Sequence, residues 1–348
     1  MKQRNVSVEL LRIVAMLMVL TLHANFMGIG IPTPETVITP EGIIRIFLQS
    51  VCICAVDTFI MISGWFGIRP SFRGFCNFMW QVVYIVGLLQ IAEIFFFDVS
   101  LNYKIVLKMF GLYGGGGWFV ASYVGLYIIT PVLNTYVEKT APHNIALMLG
   151  AFFMFEILWS NTLSVGFVMG GYSAFSFIGV YILAGLLRKI QSDFFNTRVY
   201  WGLFFISVSI NAIMYIYSVY SGAIAIRDML FNYINPIVII ASATLLLAFT
   251  TNSMFTPPSN THTLVYKRIV LWLASSCFAA YLLHVGTEYA WELYCKGVKH
   301  FYMVYSDFSA MVVIAGYILA VFVCAVIIDQ PRKMIWRKVL LPLFKREV

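Results

Sequence analysis

Charged side chains are scarce in this sequence. Asp, Glu, Lys and Arg together make up 11% of its 348 residues, whereas hydrophobic residues make up 61%. A soluble domain carries about a quarter charged residues, and a chain of this size could not hide such an apolar excess in one core. The composition excludes a soluble enzyme, a disordered chain and a collagen-like fibre. It predicts a protein that a lipid bilayer solvates.

Familiar catalytic motifs are also missing. Five of the six cysteines fall inside apolar segments and none forms a CxxC pair, which favours buried, inert thiols over disulfides or a zinc site. We therefore expect no metal. The sequence contains no phosphate-binding loop, nucleophile elbow, HExxH motif or dinucleotide fingerprint. Any chemistry must come from ionisable residues within the apolar segments.

Long apolar runs are abundant. A helix needs about 20 apolar residues to cross the hydrocarbon core, and the sequence contains roughly ten such runs. We expect an all-α polytopic membrane protein, formed by a single transmembrane domain over residues 1–348 with no appended soluble domain. The predicted spans are 8–29, 43–67, 76–97, 118–136, 145–163, 172–187, 200–220, 232–251, 270–294 and 309–328.

Basic residues are distributed unevenly between the two sides of these spans. With the N-terminus in the cytoplasm, 17 Lys and Arg residues lie on the inner side and 6 on the outer side. This is a strong positive-inside signal, and an even number of spans places both termini in the cytoplasm. The net charge of +8 is thus explained by membrane orientation, and we expect no nucleic-acid partner.

Arg12, His23 and Asp57 stand out because charge inside a span is costly. Eleven helical steps separate Arg12 from His23, which places them on one face of the first helix about 16 Å apart along its axis. Asp57 precedes Arg69 by twelve residues, so its depth in the second helix is close to that of His23. A His–Asp pair there would orient the imidazole and raise its basicity. Snorkelling of the arginine and a structural ion pair are the alternatives.

The ninth span carries a second polar cluster. His284 follows Tyr281 by three residues and Glu288 follows His284 by four, a spacing which predicts that they share one helical face in the outer half of the membrane. Glu93 and Glu156 are expected to face the interior of the bundle.

At several of these residues the sequence resembles the integral-membrane acyltransferase family 3, which includes O-acetyltransferases of bacterial surface polysaccharides. The stretch from Asn5 to Arg12, followed by ten residues and His23, resembles the first-helix motif of that family. The other matching segments are Val56–Phe59 with Ser63–Phe66, then Trp118, Phe119, Tyr123, Tyr127 and Pro131–Asn134, then Tyr281–His284, and finally Asp329–Pro331. The sequence departs from the family pattern in two places. Arg69 and Arg73 are four residues apart, whereas the family often has two basic residues three apart. Asp329 stands where Glu is more usual.

The resemblance implies an O-acyltransferase in a bacterial cytoplasmic membrane. Its co-substrate would be cytoplasmic acyl-CoA, expected to be acetyl-CoA, held through its phosphates by Arg12, Arg69 and Arg73. No tightly bound cofactor is implied. His23 would be the central catalytic residue, as a general base or as a transient acyl carrier, and Asp57 would orient it.

The acceptor implied by the resemblance is a hydroxyl of a cell-surface or lipid-linked saccharide. We expect Trp118, Tyr123, Tyr127 and the Gly114–Gly117 stretch to form a sugar-facing surface, although interfacial aromatic residues are also common membrane anchors. Glu156, Tyr281, His284 and Glu288 are expected to support the acceptor side. Two other functions stay open, a proton-coupled secondary transporter that uses His23, Asp57 and Glu156, and a polysaccharide flippase.

Overall fold

The described residues of the computed structural model are 5–97, 99–100, 102–111, 117–163, 168–190, 196–251, 261–305 and 307–344. Among them the regular structure is helical, and no strand occurs. The helices are α1 (Val6–Leu22), α2 (Pro40–Cys52), α3 (Ala55–Phe66), α4 (Phe72–Phe97), α5 (Tyr103–Met109), α6 (Gly117–Lys139), α7 (Pro142–Leu163), α8 (Ala174–Ile190), α9 (Thr197–Tyr220), α10 (Ile224–Leu230), α11 (Pro236–Thr251), α12 (Thr261–Ala274), α13 (Cys277–Val285), α14 (Glu288–Val304), α15 (Asp307–Ile335) and α16 (Leu341–Leu343).

Eight helical segments in the described part of the chain are long and apolar enough to cross a membrane. They are Val6–Ile29, Pro40–Phe66, Phe72–Phe97, Gly117–Lys139, Pro142–Trp159, Thr197–Tyr220, Leu264–Val285 and Ser309–Leu343. Two shorter helices, α8 with 17 residues and α11 with 16, coincide with the sixth and eighth predicted spans. The all-α polytopic membrane fold is thereby confirmed, and each predicted apolar run overlaps a helix.

Several of these segments are not continuous α-helices. A π-helical stretch, His23–Ile29, continues α1, and a turn at Ile53 and Cys54 separates α2 from α3. The prediction of one unbroken ninth helix over 270–294 is wrong, because turns interrupt it at Ser275–Ser276 and at Gly286–Thr287. Thr287 is extended, with φ −138°, and its side chain accepts a hydrogen bond from the backbone N–H of Ala290. A Thr cap of this kind starts a new helix, α14, in place of continuing the old one.

The chain divides into two compact units, each assembled from two stretches of sequence. Unit 1 comprises Met1–Ile68 and Ser122–Ala274, and unit 2 comprises Arg69–Ala121 and Ser275–Val348. The single domain expected over 1–348 stays a prediction.

In unit 1, α3 packs closely on α8, α9 packs on α11, and α1 packs on both α3 and α12. The approach of α3 to α8 depends on Gly64, because a β-carbon there would overlap the carbonyl oxygen of Tyr181 and lie 3.0 Å from its Cα. Small residues permit this kind of backbone contact between membrane helices. Gly64, in the second predicted span, therefore permits the close approach to α8 of α3, the helix that carries Asp57.

In unit 2, α13 packs on α4 and α15, and α14 packs on α15. A buried polar network joins three of these elements around Asp329, which is fully buried in α15. Asp329 accepts hydrogen bonds from Gln81 of α4 at 3.3 Å, from Ser276 at 2.9 Å and from Arg332 at 2.5 Å, and it pairs with Lys333 at 3.1 Å. Both carboxylate oxygens thus have hydrogen-bond partners. Because these partners lie on different helical elements, the network connects α4 and the start of α13 with α15.

Candidate active site

The first predicted site residue, Arg12, is held by an acidic partner on its own helix. Asn5 caps α1 by accepting a hydrogen bond from the backbone N–H of Ser7 at 3.0 Å. One turn before Arg12, Glu9 accepts a hydrogen bond from the Arg12 guanidinium at 3.2 Å. The Glu9 side chain is 8% exposed and that of Arg12 is 31% exposed. Glu9 therefore orients the guanidinium while leaving part of it accessible, a role that sequence reasoning missed.

His23 lies at a change of helix geometry. The α-helix extends to Leu22, so the α geometry on which the predicted common face of Arg12 and His23 depends is present. The next seven residues, His23–Ile29, are π-helical. Stretches of π-helix are rare and frequently occur at functional sites. The partly exposed imidazole is therefore placed at the first residue of an irregular segment within an apolar helix.

Asp57 lies beside a second irregularity. It belongs to the first turn of α3, directly after the turn at Ile53 and Cys54, and its side chain is 1% exposed. The start of a helix stabilises negative charge. One carboxylate oxygen, Oδ2, is buried and has no hydrogen-bond partner among the described residues. Because an unpaired buried oxygen is costly, this atom is a ready acceptor for an imidazole N–H or a substrate hydroxyl.

Glu156 of α7 belongs to the same unit and is equally buried, at 1% exposure. Its Oε1 accepts a hydrogen bond from Ser176 at 2.5 Å, and the Ser173 hydroxyl lies 3.1 Å from that of Ser176. The Glu156 carboxyl group also lies within range of an electrostatic interaction with Asp57. The structure thus brings together two buried carboxyl groups from different helices, a pairing that sequence reasoning did not make.

A further set of buried polar residues connects α2 with the π-helical stretch. Arg45 of α2 is 9% exposed, and its Nε donates to the side-chain oxygen of Asn25 at 3.1 Å. The amide of Asn25 donates to the Gln49 side chain at 3.0 Å and to the backbone oxygen of Arg45 at 2.8 Å. In the sequence, Arg45 resembles an ordinary flanking charge on the outer side. Its burial depends on a residue twenty positions away, which no local pattern reveals.

One tyrosine of α6, Tyr123, interacts with Arg12. Tyr123 is hydrogen-bonded to Ser63 of α3 and interacts electrostatically with Arg12 and Tyr127. This arrangement associates Tyr123 with the Arg12 end of α1. Trp118, on the same helix, belongs to unit 2, where its ring packs edge-to-face on Phe119. Residues Gly114–Gly116 of the predicted sugar-facing stretch lie outside the described residues.

In unit 2, Tyr281 and His284 are both buried in α13, and their rings meet edge-to-face at 6.0 Å. The Nδ1 atom of His284 lies 2.7 Å from the carbonyl oxygen of Ala280. The prediction that Glu288 shares their helical face is wrong, because the turn at Gly286 and Thr287 places it at the start of α14. Its side chain is 68% exposed and pairs with Lys108 at 3.6 Å.

Arg69 and Arg73 are exposed residues of unit 2. Arg69 follows Ile68, whose backbone is fixed at both ends in unit 1. The Ile68 N–H donates to the Tyr181 hydroxyl at 2.8 Å, and the Ile68 carbonyl accepts from Asn134 at 2.7 Å. Arg73 is the second residue of α4. Their predicted role in binding phosphate stays a prediction.

Metal-ligating residues do not converge in the described part of the chain. No group of three or more His, Cys, Asp or Glu side chains there is arranged to hold a metal ion.

The fold and the site define a polytopic helical membrane protein with ionisable residues buried inside its apolar helices. A family model described as an acyltransferase domain, that of acyltransferase family 3, matches residues 5–329. The chain belongs to this family. The match extends over parts of both compact units and includes every predicted site residue. No curated protein and no solved structure matches the chain.

Proposed function

We propose that this membrane acyltransferase moves an acyl group, expected to be acetyl, from cytoplasmic acyl-CoA to a hydroxyl of a cell-surface or lipid-linked saccharide. Family membership supports acyl transfer in general. The finer assignment rests on one observation. His23 begins a π-helical stretch, and Asp57 follows a helix break with one buried oxygen that lacks a hydrogen-bond partner among the described residues.

Acyl-CoA is a polyanion with a long, slender pantetheine arm. Arg12 offers a partly exposed guanidinium whose geometry suits phosphate. The axial distance from Arg12 to His23, about 16 Å, is comparable with the length of that arm. A thioester could therefore reach His23 while the charged end of the molecule stays at the cytoplasmic face. Arg69 and Arg73 are the other basic residues that we expect to bind the phosphates.

In the proposed reaction, the acceptor hydroxyl oxygen attacks the thioester carbonyl carbon, and the C–S bond breaks. His23 takes the hydroxyl proton and then gives it to the departing thiolate. The products are an oxygen ester and free CoA thiol, so no oxidant or further reactant is needed. Asp57 would accept a hydrogen bond from the imidazole through Oδ2, which orients the ring and stabilises its protonated form.

The decisive experiment measures cleavage of acetyl-CoA by the purified protein in proteoliposomes, with a short saccharide supplied as acceptor. We expect His23→Ala to abolish cleavage and Asp57→Asn to reduce it by about a hundredfold or more, as expected for loss of a group that orients the base. His143→Ala, which alters an exposed histidine of the same unit, should retain full activity. Full activity in a correctly inserted His23→Ala protein would overturn the assignment.

Acetyl-CoA labelled in the acyl group can distinguish the two possible roles of His23, general base and acyl carrier. A carrier forms an acyl-imidazole that retains the label on His23 when the acceptor is withheld. We expect no such labelled peptide, since the proposed path passes directly to the acceptor. Comparing the acyl content of surface glycans from cells with and without the gene would identify the acceptor.

A secondary transporter remains the second candidate, and one observation favours it. Transporter binding sites are typically formed by interrupted membrane helices, and α2 and α3 are separated by a turn within a single apolar segment, Pro40–Phe66. Solute flux driven by a proton gradient, without thioester cleavage, would support that function. His23-dependent cleavage would exclude it as the main activity.

A further inference from the structure

We propose that Arg45 is a positioning residue that holds the π-helical stretch, and through it His23, in the geometry needed for acyl transfer. The inference rests on the proposed function of His23. Arg45 is a charged residue of α2, yet it is only 9% exposed. A buried guanidinium is costly unless its donors are satisfied, so its partners indicate what it does.

Those partners converge on the segment that follows His23. Besides its bond to the Asn25 side chain, the Arg45 guanidinium donates to the backbone oxygen of Asn25 at 3.3 Å and to the backbone oxygen of Gly30. Asn25 lies inside the π-helical stretch, and Gly30 is the residue that ends it. The last carbonyls of a helix have no partners within the helix. Arg45 therefore supplies donors to this end, where a cation also interacts favourably with the helix dipole.

The attachment is reciprocal, which makes it specific. The Asn25 amide donates back to the carbonyl of Arg45 and to the side chain of Gln49, one turn further along α2. Glu41, one turn earlier, lies 3.9 Å from the guanidinium and is about half exposed. The π-helical stretch and α2 are thus connected by a fork of the kind that arginine forms and lysine cannot reproduce.

Apolar packing holds the next residue of the stretch. Phe26 contacts Tyr215 and Phe231, with ring centroids 5.8 and 5.6 Å away. Adjacent residues, Asn25 and Phe26, therefore attach the same turn to two different parts of unit 1. His23 lies two positions before this anchored pair, so its backbone position is set by residues that sequence reasoning left out of the site.

The test uses the full chain in proteoliposomes with Arg45→Lys, Arg45→Gln and Asn25→Ala. Arg227→Lys and Arg227→Gln are matched controls, because Arg227 pairs with Asp228, its exposed neighbour in sequence. A displacement on the order of 1 Å at a catalytic group can cost about a hundredfold in rate. We expect kcat to fall at least about tenfold in the Arg45 and Asn25 variants, with KM for acetyl-CoA within about twofold of the parent. Arg45→Lys should recover only a small part of the loss.

A second measurement reports on His23 directly. Diethyl pyrocarbonate modifies accessible imidazoles, and peptide mass spectrometry gives the rate at His23 relative to the exposed His143 and His300. We expect this ratio to change by about threefold or more in the three test variants, because the imidazole ring loses its fixed position, and to stay constant in the Arg227 controls. An unchanged ratio in all three test variants would overturn the proposal, whether or not kcat falls. If His23→Ala retains acyl transfer, the proposed function is wrong. The modification ratio then still shows whether Arg45 and Asn25 position His23.

Discussion

The hydroxyl of Tyr181 donates a hydrogen bond to the side-chain oxygen of Asn134 at 2.7 Å and also accepts one from the backbone N–H of Ile68. Asn134 in turn donates to the Ile68 carbonyl. Two helices, α6 and α8, therefore fix one peptide segment directly after α3. Gly67, with φ +71°, provides the left-handed turn that ends α3 before this segment.

The first prediction concerns this segment. Tyr181→Phe removes one donor and one acceptor, and we expect a loss of about 1–3 kcal/mol in the free energy of unfolding. Because Arg69 follows Ile68 directly, KM for acetyl-CoA should rise while kcat changes less. Unfolding in detergent micelles and steady-state kinetics measure the two effects. Tyr217→Phe, which alters an exposed tyrosine of the same unit, should change neither, and an unaltered KM in Tyr181→Phe would count against a phosphate-binding role for Arg69.

The second prediction concerns the hydrogen bond from Ser176 to Glu156. Ser176→Ala leaves a buried carboxyl oxygen without its donor, and we expect a loss of about 1–3 kcal/mol in unfolding free energy. Glu156→Gln alters the acceptor of the same hydrogen bond, so the double variant should be less destabilised than the sum of both changes. Ser207→Ala is the control, since the Ser207 hydroxyl donates to the carbonyl of Leu203 in its own helix. Simple additivity in the double variant would contradict the coupling.

The third prediction concerns the contact between α3 and α8. Gly64→Ala forces a β-carbon against the backbone of Tyr181, and we expect a destabilisation of about 1–3 kcal/mol together with reduced acyl transfer. Gly202→Ala is a matched change in a helix of the same unit where a β-carbon meets no atom within 4 Å. It should be neutral or stabilising by up to about 1 kcal/mol. Equal stability of the two variants in the same micelle assay would show that the close approach does not exist.

Apolar runs predicted the fold well because a membrane helix satisfies its own backbone, so length and hydropathy define it. The interruptions within these helices could not be predicted from length and hydropathy. No proline or charge marks the turn at Ile53 and Cys54, and Gly286–Thr287 lies inside an otherwise helical pattern. Periodicity assumes a continuous helix, which is why the predicted common face of His284 and Glu288 failed.

The residues of the candidate site also differ in how readily the sequence predicts them. Arg12, His23 and Asp57 are conspicuous because each is an ionisable residue in an apolar run. The residues around them are less conspicuous. Glu9 bonds Arg12 from the same helix, whereas Arg45 bonds Asn25, which lies twenty residues away in the sequence. Spacing along one helix can assign a face, but only the packed unit shows which polar groups from other helices meet that face.

The fourth prediction compares the stability lost when a buried ion pair and an exposed ion pair of unit 2 are broken. Asp329 is fully buried and bonded to Arg332 and Lys333, so Asp329→Asn leaves two cations without their counter-ion. Breaking a buried pair in this way costs about 3–5 kcal/mol. The control is Glu292→Gln, which breaks the 3.1 Å pair with Lys296 where both side chains are more than half exposed. An exposed pair contributes at most about 1 kcal/mol. Unfolding titrations of the two variants should therefore differ by at least about 2 kcal/mol, and similar values would mean that the Asp329 network contributes no more than a surface pair.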